Sequence, residues 1–242
     1  MSSLVLVERN ADTWIFTLSR PDKLNAMSAD LVDQLQDAVD CAHQESARLM
    51  VFKGAGKSFC AGFDLSDFES SSEADLLMRF VRIELLLQTI ANSPCLTLAL
   101  AHGKVFGAGV DLFAACKRRI ATQDAIFRMP GLKFGLVLGT RRFGAIVGNE
   151  KARALLEQTS IFDADQAFNM QFIHQCAPVE SWSELIEDAK GCSITLDAQT
   201  QASLYAVLGS DQIQNNADLS NLVRSAARKG LKDRLRLYVG CK

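Results

Sequence analysis

Apolar and polar positions along the first 145 residues switch repeatedly between an extended and a helical period. Two short strands open the chain; in the second, residues 13–18, Trp14, Phe16 and Leu18 share one face at a period of two. A turn-rich stretch follows at 20–26. Ser28 then stands where it can cap a helix whose Leu31, Leu35, Ala38, Val39 and Ala42 fall on one face. Residues 49–52 and 96–101 are continuous apolar runs, the pattern of strands covered on both sides. Between them the spacing predicts a helix over about 73–91, stopped by Asn92, Ser93 and Pro94. Residues 110–116 read as a helix start, and 119–121 and 125–127 as further short strands. Beyond about Asn149 helical patterning dominates. Alternating strands and helices predict an α/β core with covered sheets.

Composition narrows the classes of function. The 242 residues are 48% hydrophobic and 22% charged, which fits a globular chain of one or two domains and not a disordered one. Lys and Arg number 26 against 28 Asp and Glu, a net charge of −2, so there is no electrostatic case for a nucleic-acid partner. A local basic pocket for phosphate is still compatible, because the sum is silent about distribution. No apolar run approaches the roughly 20 residues of a spanning helix, and no membrane association is expected. Residues 1–9 lack a basic leader region, so no secretory signal is expected either. The seven cysteines, at 41, 60, 95, 116, 176, 192 and 241, form no CxxC pair and do not cluster with histidine. That argues against a disulfide framework and against a metal site, and places free thiols in a reducing cytoplasm.

Two glycine-punctuated turns carry the candidate chemistry. One is Cys60-Ala61-Gly62-Phe63-Asp64; the other is Gly107-Ala108-Gly109, at a helix start. Glycine lets a backbone N–H approach a ligand unobstructed, and a helix N-terminus carries free N–H groups and partial positive charge. Two such N–H groups aimed at one point would stabilise a carbonyl oxygen that gains negative charge, each typically worth about 100- to 1000-fold in rate. Spacing alone is equally compatible with tight turns that serve close packing.

Four segments in order, Arg20-Pro21-Asp22-Lys23-Leu24-Asn25-Ala26, Ser58-Phe59-Cys60-Ala61-Gly62-Phe63-Asp64-Leu65, Gly103-Lys104-Val105-Phe106-Gly107-Ala108-Gly109-Val110-Asp111-Leu112 and Phe127-Arg128-Met129-Pro130-Gly131, together resemble the enoyl-CoA hydratase/isomerase (crotonase) superfamily. The resemblance runs over residues 4–180. It implies a spiral of ββα units over 1–180 and a C-terminal helical region, 181–242, used in trimerisation. It also implies a coenzyme A thioester as substrate, with no tightly bound cofactor, and a homotrimer or hexamer. By motif position the oxyanion donors would be the N–H groups of Phe63 and Ala108, and Asp111 the acid/base. The adenine-ribose end would lie near Lys23, Asn25 and Ala26 and near Ala61, Asp64 and Leu65, with Lys23 a candidate phosphate contact or a solvated turn lysine.

Departures from the family pattern bear on the reaction. The family's hydratases use two carboxylates, and this chain has Asp111 at the first position and Gly131 at the second. Two acids hold and deprotonate a water while protonating carbon; one acid still shuttles a proton between carbons. The stretch around Asp111 is similar to dienoyl-CoA isomerases, which keep further acids where this chain has Gly131 and Gly139, and residues 136–142 form a shorter loop than is usual there. Asp111 also has a plain alternative as a helix-start aspartate. Glu84 is expected on a solvated helix face beside Arg82. Arg128 is expected in a surface salt bridge, with a substrate carboxylate as the other option. Cys60 is expected to be a buried structural thiol, His102 and His174 packing or loop residues, and the 224–236 charge run an exposed helix face or a subunit or coenzyme A contact. The resemblance therefore implies double-bond isomerisation or hydration, with thioester hydrolysis or decarboxylation as further options. A silent acyl-CoA-binding subunit is the alternative of another class. A dinucleotide enzyme is weaker, since Leu112 stands where the third spaced glycine would be.

Overall fold

The computed structural model describes residues 3–209 and 211–240; Met1 and Ser2, part of the stretch read for a leader, and Cys241 lie outside them. Chain order is β1 (Val5–Asn10), β2 (Thr13–Leu18), α1 (Ala29–Gln44), β3 (Leu49–Gly54), α2 (Glu73–Ala91), β4 (Leu96–Ala101), β5 (Lys104–Phe106), α3 (Ala108–Ala115), β6 (Arg118–Ala121) and β7 (Ile126–Arg128). Then follow α4 (Thr140–Val147), α5 (Asn149–Gln158), β8 (Phe162–Asp163), α6 (Ala164–Asn169), β9 (Gln175–Cys176), α7 (Trp182–Ser193), α8 (Ala198–Leu208), α9 (Gln212–Ala226) and α10 (Leu231–Gly240). The main sheet has the order β1-β2-β3-β4-β6-β9, antiparallel only at β1-β2. A small second sheet, β5-β7-β8, stands apart from it. This is the α/β spiral with C-terminal helices that the motifs imply.

The continuous apolar runs become strands buried on both faces, as their pattern predicts. From β3, Met50 and Phe52 enter the large core under α1 and α2, while Leu49 and Val51 enter a second core closed by Trp182 and Ala189 of α7. The helices start where the sequence signals them. Ser28 accepts the Leu31 N–H, and Ser72 and Asp75 form a reciprocal capping box at the start of α2. The two-residue strands β8 and β9 had no alternating pattern to reveal them. They form because the backbone at 162–163 and 175–176 meets the open edges of β7 and β6. Among the described residues no helix is long and apolar enough to cross a membrane.

The turn before α1 is held by one side chain. Asn25 is fully buried at φ +55°, a left-handed conformation that asparagine tolerates. Its Oδ1 accepts the Arg20 N–H at 2.9 Å, and its Nδ2 donates to the Ala55 and Ser58 carbonyls, both at 2.8 Å. This corrects one expectation: a fully buried Asn25 with its amide spent on the backbone offers no atom to a ligand. Instead it ties the 20–26 turn to the loop that leads into the first glycine turn. Asn25→Ala leaves two carbonyls and an N–H unpaired in the interior, and is expected to lower unfolding free energy by about 3 kcal/mol. Urea denaturation measures this, and a loss below about 1 kcal/mol would contradict the role assigned to Asn25.

Candidate active site at the paired glycine turns

The two glycine turns are brought into contact by strand pairing. Cys60 bridges to Val105 in parallel, with the Phe106 N–H donating to the Cys60 carbonyl at 2.9 Å, and Met27 bridges to Phe63. Gly62, at φ +94°, is needed twice over. Its backbone is left-handed, and a Cβ there would lie 2.6 Å from the Phe106 carbonyl oxygen and 3.4 Å from the Ala108 nitrogen. Only a residue without a side chain lets the turns sit this close.

The N–H groups around this contact are mostly engaged. The Ala61 N–H donates to the Leu24 carbonyl, Asp64 to Met27 and Gly107 to Arg128. The N–H groups of Phe63 and Ala108 have no acceptor among the described residues. Ala108 is the first residue of α3, where a helix has no internal partner for its N–H. The Phe63 ring stacks on Phe80 of α2 at a centroid distance of 4.2 Å, and the Arg79 guanidinium covers it at 4.4 Å, which braces this turn.

Both turns open on one cavity. Ala61, Gly62, Phe63, Gly107 and Ala108 line one wall; Leu65, Phe80, Phe134, Leu136, Leu138 and Tyr238 supply much of the rest. The cavity thus draws on α2, α3, the 130–138 segment and α10. Of the residues lining it, Asp111 alone carries a carboxyl.

Asp111 is 3% exposed, on the first turn of α3. Burial raises its proton affinity well above the usual carboxylate range; the charge of Arg142 works against that rise, and Glu84 adds to it. Its Oδ1 has no hydrogen-bond partner among the described residues, so the aspartate is not spent on capping the helix it begins. A Cβ on Gly139, which is left-handed at φ +64°, would overlap this carboxyl. The acid absent at 139 is therefore incompatible with Asp111 in its present position, and the space belongs to Asp111.

Glu84 corrects a second expectation. Arg82 does face solvent, against Asp33, but Glu84 is only 1% exposed. Its Oε1 accepts from Arg142 Nη2 at 3.3 Å and from Gln88 Nε2 at 2.9 Å. Its neighbours on α2 give the physical reason. Leu76, Phe80, Ile83 and Leu87 form the buried stripe, and 84 falls inside that stripe by helical phase. The phase was the available signal; the partner, Arg142 on α4, could not be read from local pattern. Arg128 corrects a third: its Nε donates to the Thr159 carbonyl at 3.1 Å, not to a carboxylate, and it does not line the cavity.

Other expected residues separate into lining and scaffold. Ala61 and Leu65 line the cavity. Ala26 is buried beside Asn25. Asp64 is buried with Oδ2 on Arg20 Nη1 at 2.9 Å and Oδ1 on the Ser66 N–H at 2.9 Å. Burial works to raise its proton affinity, but the Ser66 and Arg20 contacts outweigh it and hold Asp64 below the ordinary value. Its carboxylate locks the turn and is not free for a ligand. Lys23 stands exposed on the 3-10 turn Pro21–Lys23. Cys60 is fully buried, and desolvation pushes its thiol up to about 12, so it is no nucleophile. Among the described residues no cluster of His, Cys, Asp and Glu is arranged to hold a metal ion. The 224–236 charges are partly structural: Arg234 donates to the Phe134 carbonyl at 2.8 Å, and Arg236 pairs with Glu69 at 2.8 Å.

Comparison with known proteins agrees with this architecture. A Bordetella parapertussis structure assigned to the enoyl-CoA hydratases/isomerases is 55% identical and superposes with a TM-score of 0.96, over 98% of this chain and 99% of that one. A Mycobacterium bovis protein assigned as an enoyl-CoA hydratase is 32% identical over 172 residues, 69% of each chain. The same fold, at 20% identity and a TM-score of 0.78, occurs in a Thermobifida fusca protein crystallised in complex with acetoacetyl-CoA, over 91% of this chain and 93% of that one. The family profile described as enoyl-CoA hydratase/isomerase matches residues 8–221, and the chain belongs to that family.

Proposed function

We propose that the protein isomerises the double bond of an acyl-CoA thioester with an apolar acyl chain, using Asp111 as its only proton carrier at the substrate. The observation that carries this reading is that Asp111 is the single carboxyl lining the cavity, with Gly131 at the other acidic position of the hydratases. The thioester oxygen would accept hydrogen bonds from the Phe63 and Ala108 N–H groups. Its acyl chain would lie among Phe80, Phe134, Leu136 and Leu138. Ala61 and Leu65 would border the nucleotide end, and Lys23, on the turn whose Leu24 carbonyl receives the Ala61 N–H, would meet a phosphate.

In a 3-enoyl thioester the Asp111 carboxylate removes a proton from C2. The electron pair moves onto the thioester oxygen as an enolate, which the two N–H groups stabilise. Asp111 returns the same proton to C4, and the double bond shifts from C3–C4 to C2–C3. Atoms and charge balance without water. A carboxyl of raised proton affinity suits transfer to and from carbon better than an ordinary one. The relative crystallised with acetoacetyl-CoA supports the ligand class. Val207, Leu208 and Ile213, each at least 75% exposed on α8 and α9, would be covered by neighbouring copies in a homotrimer or hexamer.

Deuterium exchange at the α-carbon of bound acyl-CoA tests the chemistry. The wild type is expected to exchange, and Asp111→Asn to lose at least about 100-fold. Tight binding without exchange across short and medium acyl chains would instead favour a silent acyl-CoA-binding subunit. Asp111→Asn should also melt higher than the wild type at neutral pH. A carboxyl whose proton affinity is raised on folding loses stability as pH climbs from its unfolded value through its folded one, so removing the titration removes that loss. The difference should shrink in acid, where both states hold the proton.

Gly62→Ala tests the oxyanion donors separately. Its Cβ would force the Phe106 carbonyl and the Ala108 N–H away from the first turn, and exchange should fall by at least about 100-fold with the carboxylate intact. Retention of full exchange in a folded Gly62→Ala protein would remove the paired N–H groups from the mechanism.

A further inference from the structure

Three packed helices each bring one buried ionisable side chain to the cavity wall: Asp111 of α3, which lines the cavity, and behind it Glu84 of α2 and Arg142 of α4. They are 3%, 1% and 7% exposed. Arg142 Nη2 meets Glu84 Oε1 at 3.3 Å, and the Asp111 carboxyl lies against Gly139, the residue that opens the helix bearing Arg142. Four polar atoms of this group have no hydrogen-bond partner among the described residues: Asp111 Oδ1, Glu84 Oε2, and Arg142 Nε and Nη1. Arg142 does not line the substrate cavity, and neither does Glu84.

Fully ionised, the three groups carry one uncompensated negative charge in the interior, where an unpaired charge is expensive. One added proton makes the set neutral. We propose that Glu84 and Arg142 are positioning residues that set the protonation of Asp111 from behind the substrate cavity, so that the two carboxyls share a single exchangeable proton beside one permanently charged guanidinium. Glu84 thus stands in for the acid absent at Gly131 by acting on Asp111, not on the substrate.

The electrostatics agree in direction. Burial raises both carboxyls, Arg142 opposes the rise at each, and each carboxyl feels additional negative charge: Asp111 that of Glu84, and Glu84 that of Asp218. Other charged groups nearby are already occupied. Asp218 of α9 is bound by Arg141 at 2.7 Å, and Gln88 donates to Glu84. The Cys60 thiol, beside the first glycine turn, is held neutral by burial. The catalytic meaning of the shared proton rests on the proposed function; the protonation of Asp111 itself does not.

The test titrates Asp111 without substrate. In the full-length protein labelled with carboxyl-carbon-13 aspartate, the Asp111 signal is identified by its absence in Asp111→Asn, and its midpoint is followed with pH. Glu84→Gln removes a negative neighbour and should lower the midpoint by about one unit; Arg142→Met removes a positive one and should raise it by about one unit. Arg142→Lys keeps the charge and should stay near the wild type. A merely structural pair would lower the melting temperature without moving the midpoints in opposite senses. Unchanged midpoints, or shifts of the same sign, overturn the proposal. Should Arg142→Met fail to fold, Glu84→Gln decides: a downward shift supports the proposal and no shift refutes it. Opposed midpoint shifts in a protein that shows no α-carbon exchange would retain the proton-sharing set and reject isomerisation.

Discussion

The site depends on one close approach, that of the Gly62 backbone to the Phe106 carbonyl and the Ala108 N–H. Everything else in the cavity takes its position from that contact. It fixes the start of α3, and with it the first-turn residue Asp111. It also brings the Phe63 ring onto Phe80, so that α2 becomes a wall of the same cavity. The supporting pieces are rigid for identifiable reasons. Asn25 fastens the preceding turn to the loop through two hydrogen bonds and closes the turn on itself through a third, and Asp64 with Arg20 braces it from the other side. A flexible loop could present two N–H groups, but it would not hold them free of internal acceptors while those of Ala61, Asp64 and Gly107 beside them are engaged.

Asp111, the proton carrier of the proposed reaction, sits in an environment unfavourable to charge, and that is what would suit it to the role. A carboxyl at the surface ionises readily and is a weak base towards carbon. Asp111 is kept from solvent by apolar walls, and its proton affinity rises accordingly. The charge of the neighbouring Arg142 guanidinium works against that rise and favours the ionised form that could accept a proton. In the proposed reaction local stability would be given up for chemistry, a balance common at functional sites.

Much of this was visible in the chain itself. The period-two stretch at 13–18, the apolar runs at 49–52 and 96–101, and the serine cap at 28 all express local physics, and local physics survives folding. The glycine turns were visible as turns, and their order with the other motifs pointed to the family. Pairing over long sequence distances was not visible. Glu84 looked like one polar residue on a mostly amphipathic helix, and its partner lies 58 residues later on α4. The role of Asn25 was likewise hidden, since its acceptors at Ala55 and Ser58 come from another loop. The two-residue strands were missed because a sheet edge, not their own composition, induces them.

Gly139 and Gly131 differ in what they permit. At 139 the backbone is left-handed and any side chain would strike the Asp111 carboxyl, so that position excludes a second acid for as long as the first is present. At 131 the obstacle is smaller: an added Cβ would approach the Leu136 carbonyl oxygen to 3.3 Å, a contact a slight shift of that strand-less segment relieves. The cavity therefore has one closed door and one that is only narrow. A second side chain next to Asp111 is therefore admitted at 131 by a small local shift and is sterically barred at 139, so the room for another acid in this cavity is decided by one short peptide segment rather than by the whole fold.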